Sequence, residues 1–352
     1  MSKGPATQRR QWLRTVGRIV DSGSMANASR LAVYRNALRP GRAGLPPGMG
    51  LLLGSIATRL GVVILLCCLA LWTEYLNLKV GYGNTRLVEL AAGPAWRSFF
   101  EASDALFSAL GDPVQMAEQT GGMTWSIRLL GVPFTDPVAL LSLLPADPTP
   151  AAGFALGAII PMGIAVTLGR VFCGYVCPAS LLFFAIGRLR RRLGGLLLFP
   201  ELSLGRGFAW GVLVAGIALT AAIGHGVWTL LLPYFAMGQT IFHGIAFGTL
   251  SASMVALAVF ALLDLLAGYQ FTCRNLCPTG RLLGALGSRA PISVRRDPTR
   301  CVHHCHACEE VCPFAVSPRL DETRDCSMCG ACLVICPSRC LRVGTVGAGG
   351  AM

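Results

Sequence analysis

Residues 173–178 read Cys-Gly-Tyr-Val-Cys-Pro, and residues 273–278 read Cys-Arg-Asn-Leu-Cys-Pro. The two Cys-x3-Cys-Pro motifs stand 100 residues apart at both cysteines. Each closes an apolar stretch and is followed by an apolar, Arg-bearing one, Leu181 to Arg192 and Leu282 to Arg289. Proline ends a helix because it has no amide hydrogen to donate and its ring crowds the preceding turn. The pattern predicts an internal repeat, two helical hairpins that each end in the same cysteine-bearing turn around a common axis.

Outward from these motifs, four apolar stretches lie near 51–73, 151–172, 207–228 and 245–267. Each is close to the roughly 20 residues that cross about 30 Å of hydrocarbon. Only 13% of the 352 residues are charged and 53% are hydrophobic, whereas a soluble domain carries about 25% charged residues. This shortfall argues against a purely soluble enzyme and for a membrane protein. The net charge of +13 would suit nucleic acid only if it were gathered on a soluble face. Here the basic residues flank the apolar runs, so no nucleic-acid partner is expected. Residues 1–50 hold nine Lys/Arg and one acid, Asp21, with no apolar core of a secretory signal after the start. The loop 173–206 carries Arg188, Arg190, Arg191, Arg192 and Arg206, the connection 229–244 has no Lys or Arg, and the tail from 268 has ten Arg. This alternation predicts that the N-terminal segment 1–50, the loop 173–206, the segment 268–295 and the C-terminal domain 296–345 are cytoplasmic, with 74–150 and 229–244 on the periplasmic side.

The tail carries the most specific chemistry. Cys326-x2-Cys329-x2-Cys332-x3-Cys336-Pro337 has the spacing of bacterial ferredoxins, in which three close thiolates hold three corners of one iron–sulfur cube and the fourth cysteine turns to the neighbouring cube. Cys301-x3-Cys305-x2-Cys308-x3-Cys312-Pro313 follows the pattern with one extra residue after Cys301. Crossing the fourth ligands predicts one [4Fe–4S] cluster on Cys301, Cys305, Cys308 and Cys336, and a second on Cys326, Cys329, Cys332 and Cys312. His303, His304 and His306 surround the first run, and a histidine replacing Cys301 is the alternative ligand. Cys340 is left over as a buried free thiol.

Cys173, Cys177, Cys273 and Cys277 are expected to meet at the cytoplasmic membrane surface, either as a redox-active dithiol or as ligands of a further metal centre. Asp264, near the end of the fourth span, is a candidate proton relay or partner of an Arg. His225 and His243 bracket the outer connection, with Tyr234 and Gln239 between them, and are candidates for binding a quinone. Arg59 is read as reaching back to the cytoplasmic interface. The expected fold is an α-helical integral membrane protein with four transmembrane helices as two repeated hairpins, followed by a C-terminal α+β two-cluster ferredoxin domain.

These motifs together resemble the NapH-type membrane polyferredoxins, with MauN proteins, the membrane half of NosR and the CcoG/RdxA group as relatives. Phe134-Thr-Asp-Pro137 also resembles a NapH segment. The extra residue in the first cluster run and the long 1–50 and 74–150 segments depart from that plan, and no NosR-like flavin attachment sequence is present. The resemblance implies a multi-pass protein of the bacterial inner membrane, acting as a quinol dehydrogenase component. It would take electrons from the membrane quinol pool and hand them to a ferredoxin-like partner of the NapG kind. It also admits two other roles, an assembly or maturation factor that reduces a metal or a partner's cofactor, and a redox-sensing membrane regulator.

Overall fold

A computed structural model describes residues 47–144, 152–193, 202, 204–224, 227–246, 248–249, 251–301, 305–320, 323 and 325–345. The 1–50 segment therefore lies almost wholly outside the described residues, as do His225, His303 and His304. The principal helices are α1 (Met49–Gly81), α2 (Ala152–Leu168), α3 (Ala179–Leu193), α4 (Arg206–Ile223), α5 (Pro233–Ala246), α6 (Ala252–Ala267) and α7 (Pro278–Leu286). The strands are β1 (Gly121–Met123), β2 (Ser126–Leu129), β3 (Val132–Thr135), β4 (Ile292–Arg296) and β5 (Leu341–Thr345).

Helix α1, 33 residues long, rises about 50 Å and is long and apolar enough to cross a membrane. Only 17% of its most apolar window is buried inside the protein, so its apolar side chains face outward rather than into a soluble core. The other expected spans are broken into shorter helices. The second stops at Gly169, whose φ of 72° leaves the helical region, before a short helix Val171–Tyr175. The third ends at Gly224, and the chain doubles back so that Trp228 packs against Gly216. The fourth is shortened to α6, which starts at Ala252. The segment 229–244, expected as a short outer connection, is thus mostly a helix, with Pro233, Tyr234, Phe235, Ala236 and Gly238 buried.

The long segment after α1 also turns inward. Helices Thr85–Ala92 and Pro94–Leu110 pack on the end of α1, where Tyr75 stacks on Phe107 at 5.4 Å and hydrogen-bonds Asp104 at 2.7 Å. Strands β1, β2 and β3 then form an antiparallel meander. It lies so close to α2 that a Cβ on Gly157 would stand 2.7 Å from the Thr135 hydroxyl. Trp125, in the β1–β2 turn, meets Phe235 at 4.9 Å and Trp228 at 6.4 Å. The inward-turning pieces of the two halves therefore pack on each other in one apolar core.

The C-terminal part is a small α+β unit. Strands β4 and β5 pair antiparallel from Ile292↔Thr345 to Arg296↔Leu341, with short helices Ala307–Glu310 and Ala331–Ile335 beside them. It is docked on the first Cys-x3-Cys-Pro turn. The amide of Arg170 donates to the Cys326 carbonyl at 3.2 Å, and the Tyr175 hydroxyl to the Met328 carbonyl at 3.1 Å. A Cβ on Gly174 would lie 2.5 Å from the Ser327 carbonyl oxygen, so only glycine permits this approach.

Gly174→Val should therefore push the tail off its seat, at a cost of about 1–3 kcal/mol. Limited proteolysis should release the C-terminal unit from this variant. Gly54→Val is the control, because a Cβ there meets nothing within 4 Å. Equal protease resistance of the two variants would contradict the docking.

Candidate iron–sulfur and membrane-face site

The two cysteine runs interleave in space. Cys301, Cys305, Cys308 and Cys336 line one small cavity, joined by Cys340. The Cys340 thiol stands 3.6 Å from Cys336. Cys326 and Cys332 lie within electrostatic range of Cys312 and Cys329, and Cys312 within range of Cys329. Each fourth cysteine therefore sits with the other run. The proline after it ends the local helix and turns the chain across.

This donor chemistry fits iron–sulfur clusters. Burial pushes the Cys312 thiol up to about 11 and the Cys326 thiol up to about 12, because a thiolate there has lost its water. An iron cube supplies the missing positive charge and holds its ligands as thiolates. Among the described residues no three Cys, His, Asp or Glu side chains converge as they would on a single metal ion. Backbone amides point at the sulfurs, Met328 N–H at Cys326 Sγ (3.4 Å) and Val316 N–H at Cys312 Sγ (3.4 Å), the kind of contact that tunes a cluster's potential. His306 is engaged with Glu309 at 2.8 Å.

Beside this unit the four cysteines of the two Cys-x3-Cys-Pro turns lie close together. Cys173, Cys177 and Cys273 belong to one packed core. Cys173 and Cys277 are within electrostatic range of Cys177 and of Cys273. Arg170 lies beside Cys173 and Cys277, donates to the Cys273 carbonyl at 3.2 Å and reaches Asp325 at 3.5 Å. Its guanidinium also lies over the Phe314 ring at 4.6 Å. Cys173 and Cys329 line a second cavity of about 280 Å³ between the helical part and the tail.

The other candidates fall elsewhere. Asp264 is fully buried and accepts the Thr272 amide at 2.7 Å, so it anchors the π turn Thr272–Leu276 that carries Cys273. Arg59 does not reach back to an interface. It is buried, bonds the Ser55 carbonyl at 2.6 Å and Ser180 Oγ at 3.3 Å, and lines the cavity of Cys173 and Cys329. His243 stands edge-on to Phe242 on α5, nine residues along the helix from Tyr234 and so about 13 Å away by helical rise.

Sequence reasoning missed one cluster. The Tyr234 hydroxyl donates to Asp136 Oδ2 at 2.5 Å, and Thr279 Oγ1 lies 3.2 Å from it and 3.4 Å from Asp136 Oδ1. The signal was an acid in an otherwise apolar stretch directly before Pro137, which marks a helix start.

The sequence model described as "4Fe-4S binding domain" matches residues 150–195, the stretch with α2, Cys173, Cys177 and α3. The ferredoxin-type protein NapH of Haemophilus influenzae is 32% identical over 197 residues, covering 55% of this chain and 66% of its own. NapH of Escherichia coli is 32% identical over 194 residues, covering 55% and 65%. The methylamine utilization ferredoxin-type protein MauN of Methylorubrum extorquens is 30% identical over 197 residues, covering 55% and 66%. The chain thus spans just under two thirds of the relatives it matches, and no solved structure matches it. The repeated Cys-x3-Cys-Pro turns, the interleaved tail cysteines and these relatives together relate the chain to the NapH/MauN-type family of ferredoxin-type proteins.

Proposed function

We propose that this is a membrane-bound iron–sulfur electron-transfer protein that draws electrons from membrane quinol and passes them to a ferredoxin-like redox partner. The observation that carries the reading is the cavity shared by Cys173 and Cys329, which joins the membrane-face motif to a ligand of the second tail cluster. Cys301, Cys305, Cys308 and Cys336 hold one [4Fe–4S] cluster, and Cys326, Cys329, Cys332 and Cys312 hold the other. Such clusters supply single-electron steps at potentials set by their surroundings. The protein's own part is to seat them against the helices, shield them with Phe314 and Arg170, and aim amides at their sulfurs. Cys173, Cys177, Cys273 and Cys277 form the link between the bilayer and the tail, as a redox-active dithiol site. The chain crosses the bacterial inner membrane four times, with both termini cytoplasmic.

The direct experiment is anaerobic purification, iron and sulfide counting and EPR, followed by a quinol. Cluster signals that grow on quinol addition are expected, and clusters that stay oxidised would overturn the quinol link.

Crossed ligation makes a sharper prediction. Cys312→Ser and Cys326→Ser strike the same cluster, so the double variant should lose about half the iron. Cys312→Ser with Cys308→Ser strikes both clusters and should lose nearly all of it. Iron counts in the opposite order would establish uncrossed ligation.

The topology is checked by a reporter active only in the periplasm. Inserted at Gly83, past the end of α1, it should give signal, and fused after Thr345 it should give none. Signal from the C-terminal fusion would place the tail on the wrong side.

A further inference from the structure

A third cavity, of about 310 Å³, lies on the flank of the helical part between α1, α2 and the β1–β3 meander. Its walls are apolar, with Val62, Leu65, Leu66, Ile160 and Ile164 among them. Ile160 and Ile164 are 37% and 42% exposed, so the cavity opens through the outward apolar face of α2. Its inner end holds Asp136 and Tyr234, and the neighbouring wall is Phe172, the residue next to Cys173. The cavity therefore runs from the apolar flank to the edge of the membrane-face cysteines.

Asp136 is buried, and its partners among the described residues are the Tyr234 and Thr279 hydroxyls, the Val138 amide at 2.6 Å and the Ala139 amide, with no cation. A carboxylate in such surroundings is costly. Capping the helix Pro137–Leu143 does not require a charge, since a neutral Asn caps as well and Asn84 does so for Thr85–Ala92. The Thr124 hydroxyl on the same lining is buried and has no partner among the described residues. An acid, a phenol and an unpaired hydroxyl beside an apolar cavity match a flat ring with two hydroxyls and a hydrocarbon tail.

We infer that this cavity is the quinol site, with Asp136 accepting a hydrogen bond from a ring hydroxyl and the tail leaving between Ile160 and Ile164. The inference rests on the quinol-linked reading above and moves the site from His225 and His243 to Asp136 and Tyr234. It puts the ring one residue from Cys173, and Cys173 shares the next cavity with Cys329.

The test uses the full chain in lipid nanodiscs and a photoreactive azido-quinone with a ten-carbon tail, mapped by peptide mass spectrometry. Label is expected on residues 121–137 and 160–176. It should fall about tenfold in Asp136→Asn, the effect of losing one hydrogen bond to a charged group. It should fall as far in Ile164→Trp, which fills the mouth. Ile164 is exposed, so that variant keeps the test valid if Asp136→Asn does not fold. Specific label on α5 near His243, or label undiminished in Ile164→Trp, would overturn the site while leaving the quinol link standing. Absence of any specific label, together with clusters that quinol does not reduce, would remove the quinol link and this site with it.

Discussion

The arrangement turns on one buried cation. Arg170 is 3% exposed, yet it sits where α2 breaks and three parts of the chain converge. Its side chain reaches the carbonyl of Cys273 in the second motif and the carboxylate of Asp325 at the head of the second cluster run, while its ring contact is Phe314 behind the first run. A guanidinium stripped of water is costly unless its donors are used; here the two terminal nitrogens tie the two halves to the tail, while Nε has no partner among the described residues. Gly280 and Gly284 make the room, since a Cβ on either would lie 2.5 Å or less from Arg170 or Asp325 side-chain atoms.

The parts of the molecule tied to chain spacing were readable in the sequence. The offset of the Cys-x3-Cys-Pro motifs is a property of the sequence itself, and the four-cysteine runs with their prolines anticipated that each fourth cysteine lies beside the other run, because in both cases the local backbone dictates where the next residue goes. The expected spans agree with apolar helices but not with their ends. Gly169 and Gly224 stop two of them early, at positions that apolar composition does not mark. Apolar composition alone does not distinguish a continuous crossing from one that turns back. The inward-packed Trp125 and Trp228 were invisible for that reason, since a tryptophan in an apolar stretch suits a lipid face as well as a core.

The same limit explains the polar sites. Histidines drew attention in the outer connection because they titrate, yet Asp136 and Tyr234, 98 residues apart, are the groups that meet. No local pattern brings them together. They meet because the strand meander and the doubled-back chain before α5 fill the space between the halves. Arg59 was misread for a similar reason, since reaching an interface is open to an isolated helix but not to one covered by Ser180 and the tail.

The repeat is symmetric in its cysteines and asymmetric in everything that grips them. One hundred residues after Arg170 the chain has Gln270, and one hundred before Gly280 and Gly284 it has Ser180 and Phe184. The first half supplies the peg and the second half the hole. Neither half can stand in for the other, so two copies of one half would close on nothing. The peg also grips the last cysteine run, which therefore has a complete seat only on the two halves together.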